Sequence, residues 1–331
     1  MQNENTDITI NGVVHKKLLG HYDVHHDHSV TTCVLSAKLW KDFEYAHQDE
    51  KSGRVISVSE NHMDPVAVGD QVTFLPVNDG TGMILEVLPR RNYLARGSAK
   101  PNPRAYSFEQ VIAANLDQIM PVFAAADPQP KWHMLDRILV AAEAHRIPSQ
   151  ILITKFDLVQ GHPEEEKIVK VVEMYREIGY AVIVTSAAHR MGLDEVKVAL
   201  CHQTSLLVGK SGVGKSTLLN TLEPGLGLKV QSVNPSTGKG RHTTSHLEMF
   251  PLAMGGAIID TPGTREFGLW GLDSTELADC FPEMRSLLGR CKFGLSCQHN
   301  EEPGCAIRQA VMEGNISPYR YRSYLRMRED L

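Results

Sequence analysis

Between residues 36 and 97, apolar and polar positions alternate in short runs separated by turn residues. Gly53-Arg54-Val55-Ile56-Ser57-Val58, Val68-Gly69-Asp70-Gln71-Val72-Thr73-Phe74 and Met83-Ile84-Leu85-Glu86-Val87-Leu88 carry the period of two that sends successive side chains to opposite faces of a strand. Strands this short and this closely spaced predict a small antiparallel barrel, with an OB-fold as the obvious candidate. Upstream, residues 1–35 are polar and rich in histidine (His15, His21, His25, His26, His28). They read as a solvated arm, because the histidine spacing suits no regular metal geometry.

Pro101-Asn102-Pro103 marks a linker, and beyond it the period changes. Buried-strand patterns at Gln118 to Ala126, Ile151 to Ile153, Ala181 to Val184, Ser205 to Val208 and Ala257 to Ile259 alternate with helical ones. The predicted helices are Lys131 to His145, Glu164 to Ile178, Gly192 to Leu200 and Lys215 to Leu222. This alternation predicts a parallel, doubly wound α/β sheet. From about residue 274 the pattern is helical around a loop rich in Cys and His. The expected organisation is a polar arm (1–35), an OB-fold barrel (36–100), an α/β domain (101–273) and a mainly helical C-terminal domain (274–331).

Composition narrows the partners. The 331 residues carry 34 basic and 39 acidic side chains, a net charge of −5, so nucleic-acid binding would need a local basic patch. Two such patches stand out. Arg90, Arg91, Arg96 and Lys100 surround Tyr93, an arrangement suited to a phosphate backbone and a stacked base. Between Arg285 and Arg328, eight basic residues face three acidic ones, with Tyr319, Tyr321 and Tyr324 interleaved. The N-terminus has no apolar leader core, and no apolar run reaches the roughly 18 residues of a membrane span. A soluble, cytoplasmic chain with no membrane partner is expected.

Candidate chemistry centres on Gly209-Lys210-Ser211-Gly212-Val213-Gly214-Lys215-Ser216-Thr217, which fits G-x-x-x-x-G-K-[ST] between a strand and a helix. Such a loop turns backbone N–H groups onto phosphate oxygens at the positive end of a helix. Lys215 is expected on the β- and γ-phosphates and the Ser216 hydroxyl on Mg²⁺. Thr154-Lys155-Phe156-Asp157 reads as a guanine motif. The Asp157 carboxylate can accept from N1–H and the exocyclic amine, donors that adenine lacks on that edge, and Lys155 lays its stem along the base. Thr185-Ser186-Ala187 is its companion, with Ser186 beside the base and the Ala187 N–H on the guanine O6. Thr154 stands where Asn is commoner, which predicts a weaker tie between base loop and phosphate loop. Asp260-Thr261-Pro262-Gly263 reads as the γ-phosphate sensor, Asp260 toward Mg²⁺ and the Gly263 N–H toward phosphate. In many such enzymes a water-orienting glutamine comes next; here it is Thr264, so intrinsic hydrolysis is expected to be slow. Residues 231–246 suit a switch segment, with Thr243 or Thr244 as a Mg²⁺ ligand and His242 as a water-positioning group. The base-reading motifs precede the phosphate loop, the order of a circularly permuted GTPase.

Cys291, Cys297, His299 and Cys305 lie within 15 residues and form the Cys₃His set of a closed, structural Zn²⁺ site. With these residues assembled, the chain resembles the bacterial ribosome-associated, circularly permuted GTPases of the RsgA/YjeQ family. The likeness rests on Ala114-Asn115-Leu116-Asp117-Gln118, Leu135-Asp136-Arg137, the phosphate loop, Gly240-Arg241-His242-Thr243-Thr244, Asp260 to Gly263 with Arg265-Glu266-Phe267, and the Cys-Cys-His-Cys loop. Relative to the family, Thr154 replaces Asn and the first two cysteines lie one residue further apart. The resemblance implies a monomer that binds rRNA and matures the small ribosomal subunit, with GTP hydrolysis stimulated by that subunit and release on hydrolysis. The rival reading is an RNA-binding assembly module in which GTP is only an allosteric ligand. A P-loop metabolite kinase is disfavoured by the guanine motif.

Overall fold

The computed structural model describes residues 8–46, 64–77, 80–97, 109–228, 247–261 and 272–331. The chain opens with strands β1 (Ile10–Leu18), β2 (His21–His26) and β3 (Ser29–Leu35), then helix α1 (Ala37–Ala46), β4 (Gln71–Pro76) and β5 (Thr81–Val87). β1 pairs with both β2 and β4, β2 with β3, β3 in parallel with β5, and β5 with β4. The ring 1-2-3-5-4-1 closes a five-stranded barrel of OB type.

This corrects the expected arm: residues 10–35 supply three of the five barrel strands. Their inward positions, Val14, Tyr22, Val24 and Cys33, are buried with Val72, Phe74 and Ile84. Most outward positions of β2, and Thr32 of β3, are polar (His21, Asp23, His25), with Val30 and Val34 exposed as exceptions, so the period of two survives but is blurred. The expected strand Gly53 to Val58 lies outside the described residues.

β6 (Tyr93–Gly97) and β7 (Glu109–Ala114) form a hairpin that spans the expected boundary at 100. Leu94 and Ala113 of this hairpin join the core of the α/β layer, and Pro101 to Pro103 lie outside the described residues. Members of the basic cluster have partners within the chain, although Arg91 stays exposed. Arg90 grips the buried Asp70 through two 2.7 Å bonds, Arg91 pairs with Asp117 at 2.7 Å, and Arg96 bonds Gln110 at 3.0 Å. Arg90 braces the barrel, Arg91 the segment entering β8 and Arg96 the hairpin; Lys100 lies outside the described residues. Asn115 and Asp117 finish the joint: Asn115 Nδ2 donates to the Gly69 carbonyl at 2.9 Å, and Asp117 accepts from the Thr204 N–H at 2.7 Å.

The α/β layer runs β8 (Gln118–Ala124), α2 (Trp132–Ala144), β9 (Gln150–Thr154), α3 (Pro163–Ile178), β10 (Ala181–Val184), α4 (Leu193–Leu200), β11 (Gln203–Val208), α5 (Lys215–Leu222), β12 (Glu248–Pro251) and β13 (Gly256–Asp260). Its strand order is β10-β9-β8-β11-β13-β12, parallel except for β12. Strand order reverses between β8 and β11, and the crevice at such a switch point is where open α/β sheets bind ligands. β12 in turn pairs with β1, at Lys16 opposite Glu248, so barrel and core share one 11-stranded sheet.

The C-terminal unit contains α6 (Pro282–Arg285), α7 (Ala306–Met312) and α8 (Pro318–Glu329) around the Cys/His loop. Its core, with Phe281, Met284, Ile307 and Tyr324, takes in Val140 from α2.

Candidate active site and metal centre

The phosphate loop leaves β11 at the sheet's switch point. Gly209 passes so close to β8 that a Cβ there would sit 2.5 Å from the Val122 carbonyl oxygen. Gly214, at φ 96°, holds the left-handed turn that starts α5. Between them lie Lys210, Ser211 (exposed), Gly212 and the buried Val213; Ser216 and Thr217 open the helix.

Lys215 is buried, donates to the Gly209 carbonyl at 2.7 Å and stands 3.8 Å from Asp260 Oδ1 at the end of β13. That oxygen is buried and, among the described residues, lacks a hydrogen-bond partner. Burial lowers the Lys215 pKa while Asp260 opposes the shift; burial raises that of Asp260 while Lys215 opposes it. Two opposite charges held dry, slightly too far apart to bond, fit a phosphate on one and a hydrated cation on the other. His242, Thr243, Thr244, Gly263 and Thr264 lie outside the described residues.

The base-reading residues converge on this loop from β9 and β10. The Thr154 hydroxyl donates to the Val213 carbonyl inside the phosphate loop, with the Phe123 carbonyl 3.3 Å away. Thr at this position therefore keeps the tie between the two loops, against the expectation of a weakened one. The signal was present in the sequence, since a hydroxyl can donate as an amide does. Lys155 adopts a left-handed conformation (φ 55°), passes its alkyl stem beside Gly214 and donates to the Asp127 carbonyl at 2.5 Å. Asp157 is half-buried and accepts from the Ser186 hydroxyl at 2.5 Å. The Phe156 N–H bonds the Thr185 carbonyl at 3.1 Å, and Ala187 lies half-buried in the turn that Ser186 and Met191 close. Among the described residues, the structure thus gathers the guanine, companion and phosphate motifs at one edge of the sheet.

The likeness to known proteins follows the same outline. The family model for the RsgA GTPase matches residues 87–270. A small ribosomal subunit biogenesis GTPase RsgA from Gemmatimonas aurantiaca is 45% identical over 268 residues, 80% of this chain and 84% of that one. The Bacteroides fragilis protein of the same name is 41% identical over 80% of this chain and 84% of its own. The chain belongs to the RsgA GTPase family. Among solved structures, YjeQ from Thermotoga maritima superposes with a TM-score of 0.73 at 28% identity, covering 98% of this chain and 99% of that one. YloQ, described as a circularly permuted GTPase, gives 0.67 at 29% identity, with coverage of 100% and 97%. As a member of the RsgA family the chain is a GTP-hydrolysing enzyme with a permuted core, which sets aside the purely allosteric reading.

The Cys/His cluster of this RsgA family member is compact. Ligand atoms of Cys291, Cys297, His299 and Cys305 lie within 4.8 Å of one another, and all four residues are buried. Cys291 Sγ is 3.4 Å and Cys305 Sγ 3.5 Å from His299 Nδ1. The Ala306 N–H points at Cys291 Sγ (3.3 Å) and the Arg308 N–H at Cys305 Sγ (3.5 Å), donors that favour thiolates. The set fits a tetrahedral metal ion.

Part of the aromatic and basic tail serves this centre, while Arg322 and Arg326 stay exposed. Tyr321 OH donates to the His299 carbonyl (2.7 Å), Tyr324 OH to the Gln298 carbonyl (2.9 Å), and Arg328 to the Gln298 carbonyl (2.7 Å). Arg320 is fully buried. It pairs with Asp136 of α2 at 2.5 Å and with Glu283 at 2.7 Å, while Tyr175 and Ser323 donate to Asp136. Sequence reasoning missed this network, because a buried Arg and an exposed one look alike in a tyrosine-arginine helix.

Proposed function

We propose that this GTPase acts late in the maturation of the small ribosomal subunit, binds its rRNA, is stimulated by it and leaves on hydrolysis. The observation that carries the reading is the attachment of the accessory units. The barrel is hydrogen-bonded to β12, beside the strand that ends at Asp260, whereas the Cys/His unit is ion-paired to α2. A protein built only to turn over GTP has no need of either connection. The relatives' name, small ribosomal subunit biogenesis GTPase, supports the same partner.

In this reading Lys215 and the backbone of residues 209–214 hold the phosphates, Lys155, Asp157, Ser186 and Ala187 hold guanine, and Gly263 senses the γ-phosphate. Mg²⁺, which would be held by the Ser216 hydroxyl, Asp260 and Thr244, supplies charge neutralisation at the β–γ bridge. His242 orients the attacking water when the partner is bound. Cys291, Cys297, His299 and Cys305 hold one structural Zn²⁺. The working units are then the barrel (10–87), the nucleotide core (93–261) and the Cys/His unit (272–331), in a cytoplasmic monomer. No described helix is long and apolar enough to cross a membrane.

The test is turnover of GTP and ATP with and without purified small subunits. Faster GTP turnover with subunits and negligible ATP turnover are expected. Equal rates for both nucleotides, or indifference to the subunit, refute the proposal.

A further inference from the structure

The loop that carries Thr154 and Lys155 is held at four points by one stretch of chain, residues 123–132. The Phe123 carbonyl lies 3.3 Å from the Thr154 hydroxyl, and the Ala125 N–H donates to the Thr154 carbonyl at 2.8 Å. The Asp127 carbonyl accepts from Lys155 Nζ at 2.5 Å. The fourth point is a stack: Trp132, the first residue of α2, lies on the Phe123 ring with centroids 6.0 Å apart. Asp127 and Lys155, the two ends of one hydrogen bond, both sit in left-handed backbone, at φ 45° and 55°. Such backbone is unfavourable for a side chain other than glycine and persists where surrounding contacts hold it.

The same helix is the seat of the Cys/His unit. Asp136 accepts from Arg320 and Ser323, Arg137 bonds Asp330 at 2.6 Å, and Glu143 accepts from Arg285 at 2.6 Å. Between them Val140 enters the core that holds Phe281 and Tyr324. Contacts with the unit therefore begin one turn inside α2 and continue to its last turn. The helix has 13 residues, a length of about 20 Å, and a rigid element of that kind carries a displacement from one end to the other. A shift of the unit reaches Trp132 and, through residues 125–131, the ammonium of Lys155.

We propose that α2 positions the guanine-reading lysine, with Trp132 as the positioning residue, and that the Cys/His unit seated on this helix sets how long a guanine nucleotide stays bound. A unit drawn away from the core relaxes the aromatic stack and the Lys155 tie, so the base leaves sooner. GDP and GTP share the base and are affected alike. The inference rests on the guanine reading of Lys155 and Asp157 in the proposed function and adds regulation of that site: a partner that loads the Cys/His unit controls nucleotide exchange.

The experiment follows release of fluorescent N-methylanthraniloyl GDP, and of the matching non-hydrolysable GTP analogue, from the full chain by stopped flow. Trp132→Ala should raise both rates by the same factor, about three- to tenfold, the size of one aromatic pair. Trp132→Phe should restore most of the wild-type rate. In Trp132→Ala the KM for GTP should rise by that factor with little change in kcat, whereas mere loss of folded protein would lower kcat and leave KM alone. From the far end, Arg320→Met should also raise both rates, and by less in the Trp132→Ala background than by itself, because one path carries both effects. Should Arg320→Met fail to fold, Asp330→Ala opens the exposed end of the same joint and should raise both rates about twofold.

Unchanged release from Trp132→Ala overturns the inference. So does faster release of the GTP analogue alone, or a far-end variant whose effect is absent or simply additive. Nucleotide preference of the wild type is read separately. If guanine is preferred over adenine while the rates stay unaltered, only control through α2 falls; if it is not preferred, the guanine reading falls and this inference with it.

Discussion

Replacing Arg320 by Met tests whether the Cys/His unit is locked onto the nucleotide core by buried charge. The guanidinium is fully buried and satisfies two carboxylates, Asp136 of α2 at 2.5 Å and Glu283 at 2.7 and 3.3 Å. Methionine fills much of the same volume, so the cavity contribution is small and the electrostatic one dominates. After Arg320→Met, Asp136 keeps the hydroxyls of Tyr175 and Ser323, whereas Glu283 loses both of its bonds to Arg320. Removing one partner of a buried ion pair costs about 3–5 kcal/mol. Because two carboxylates are stranded and one retains donors, the expected loss is about 4 kcal/mol. Urea unfolding followed by tryptophan fluorescence measures it, with Trp132 opening α2 as a reporter beside the joint. Adding Asp136→Asn and Glu283→Gln removes the stranded charges and should restore at least half of the loss, since the penalty lies in the unpaired charge. A loss below about 1 kcal/mol, or a triple variant no more stable than the single one, refutes the argument.

Three further outcomes follow from the geometry. Thr154→Ala strands the buried Val213 carbonyl and loosens the phosphate loop, which should weaken GTP binding by about tenfold; calorimetric titration with GTP decides, and an unchanged affinity excludes the tie. Asp157→Asn should lower affinity for GTP and raise it for xanthosine triphosphate, and an unaltered base preference would remove Asp157 from the guanine site. Burial, helped by the stacked His25, holds His15 at about 4 against an ordinary 6.5. The folded state therefore resists a proton that the unfolded chain accepts. Stability should be complete above pH 6.5 and decline as pH falls toward 4; denaturant midpoints at pH 7 and pH 5 should differ more for the wild type than for His15→Leu.

How much of this could be read from sequence depended on whether a residue's partners lie nearby in the chain. The phosphate loop, guanine motif and Cys₃His set are local patterns, and the structure assembles the described parts of each where spacing places them. Strands 10–35 were hidden because many of their side chains are polar and their inward run is thin, with Tyr22, Val24 and Cys33 counting only once a barrel surrounds them. The arginines misled for the converse reason. Arg90 and Arg320 find their carboxylates 20 and 184 residues away in sequence, at Asp70 and Asp136, and no window of composition contains both members of the second pair. A basic, aromatic helix is thus ambiguous between a nucleic-acid surface and a buried clamp until long-range partners are known.

Permutation gives the two accessory units different attachments to the nucleotide. The guanine-reading half comes first, and its Lys155 bonds the Asp127 carbonyl in the loop that leads into α2, the helix on which Arg320 docks the Cys/His unit. The phosphate-reading half comes second, and its edge strand β12 follows residues 229–246 directly and pairs with β1, reinforced by Lys16 on Glu248 at 3.0 Å. An event at the base therefore has a packed route to the Cys/His unit, and an event at the γ-phosphate a hydrogen-bonded route to the barrel. Under the proposed function, two surfaces attached at opposite ends of one nucleotide would respond unequally to loss of the terminal phosphate, the barrel losing support that the Cys/His unit keeps. A partner held through both units would then be released by undoing only one of them.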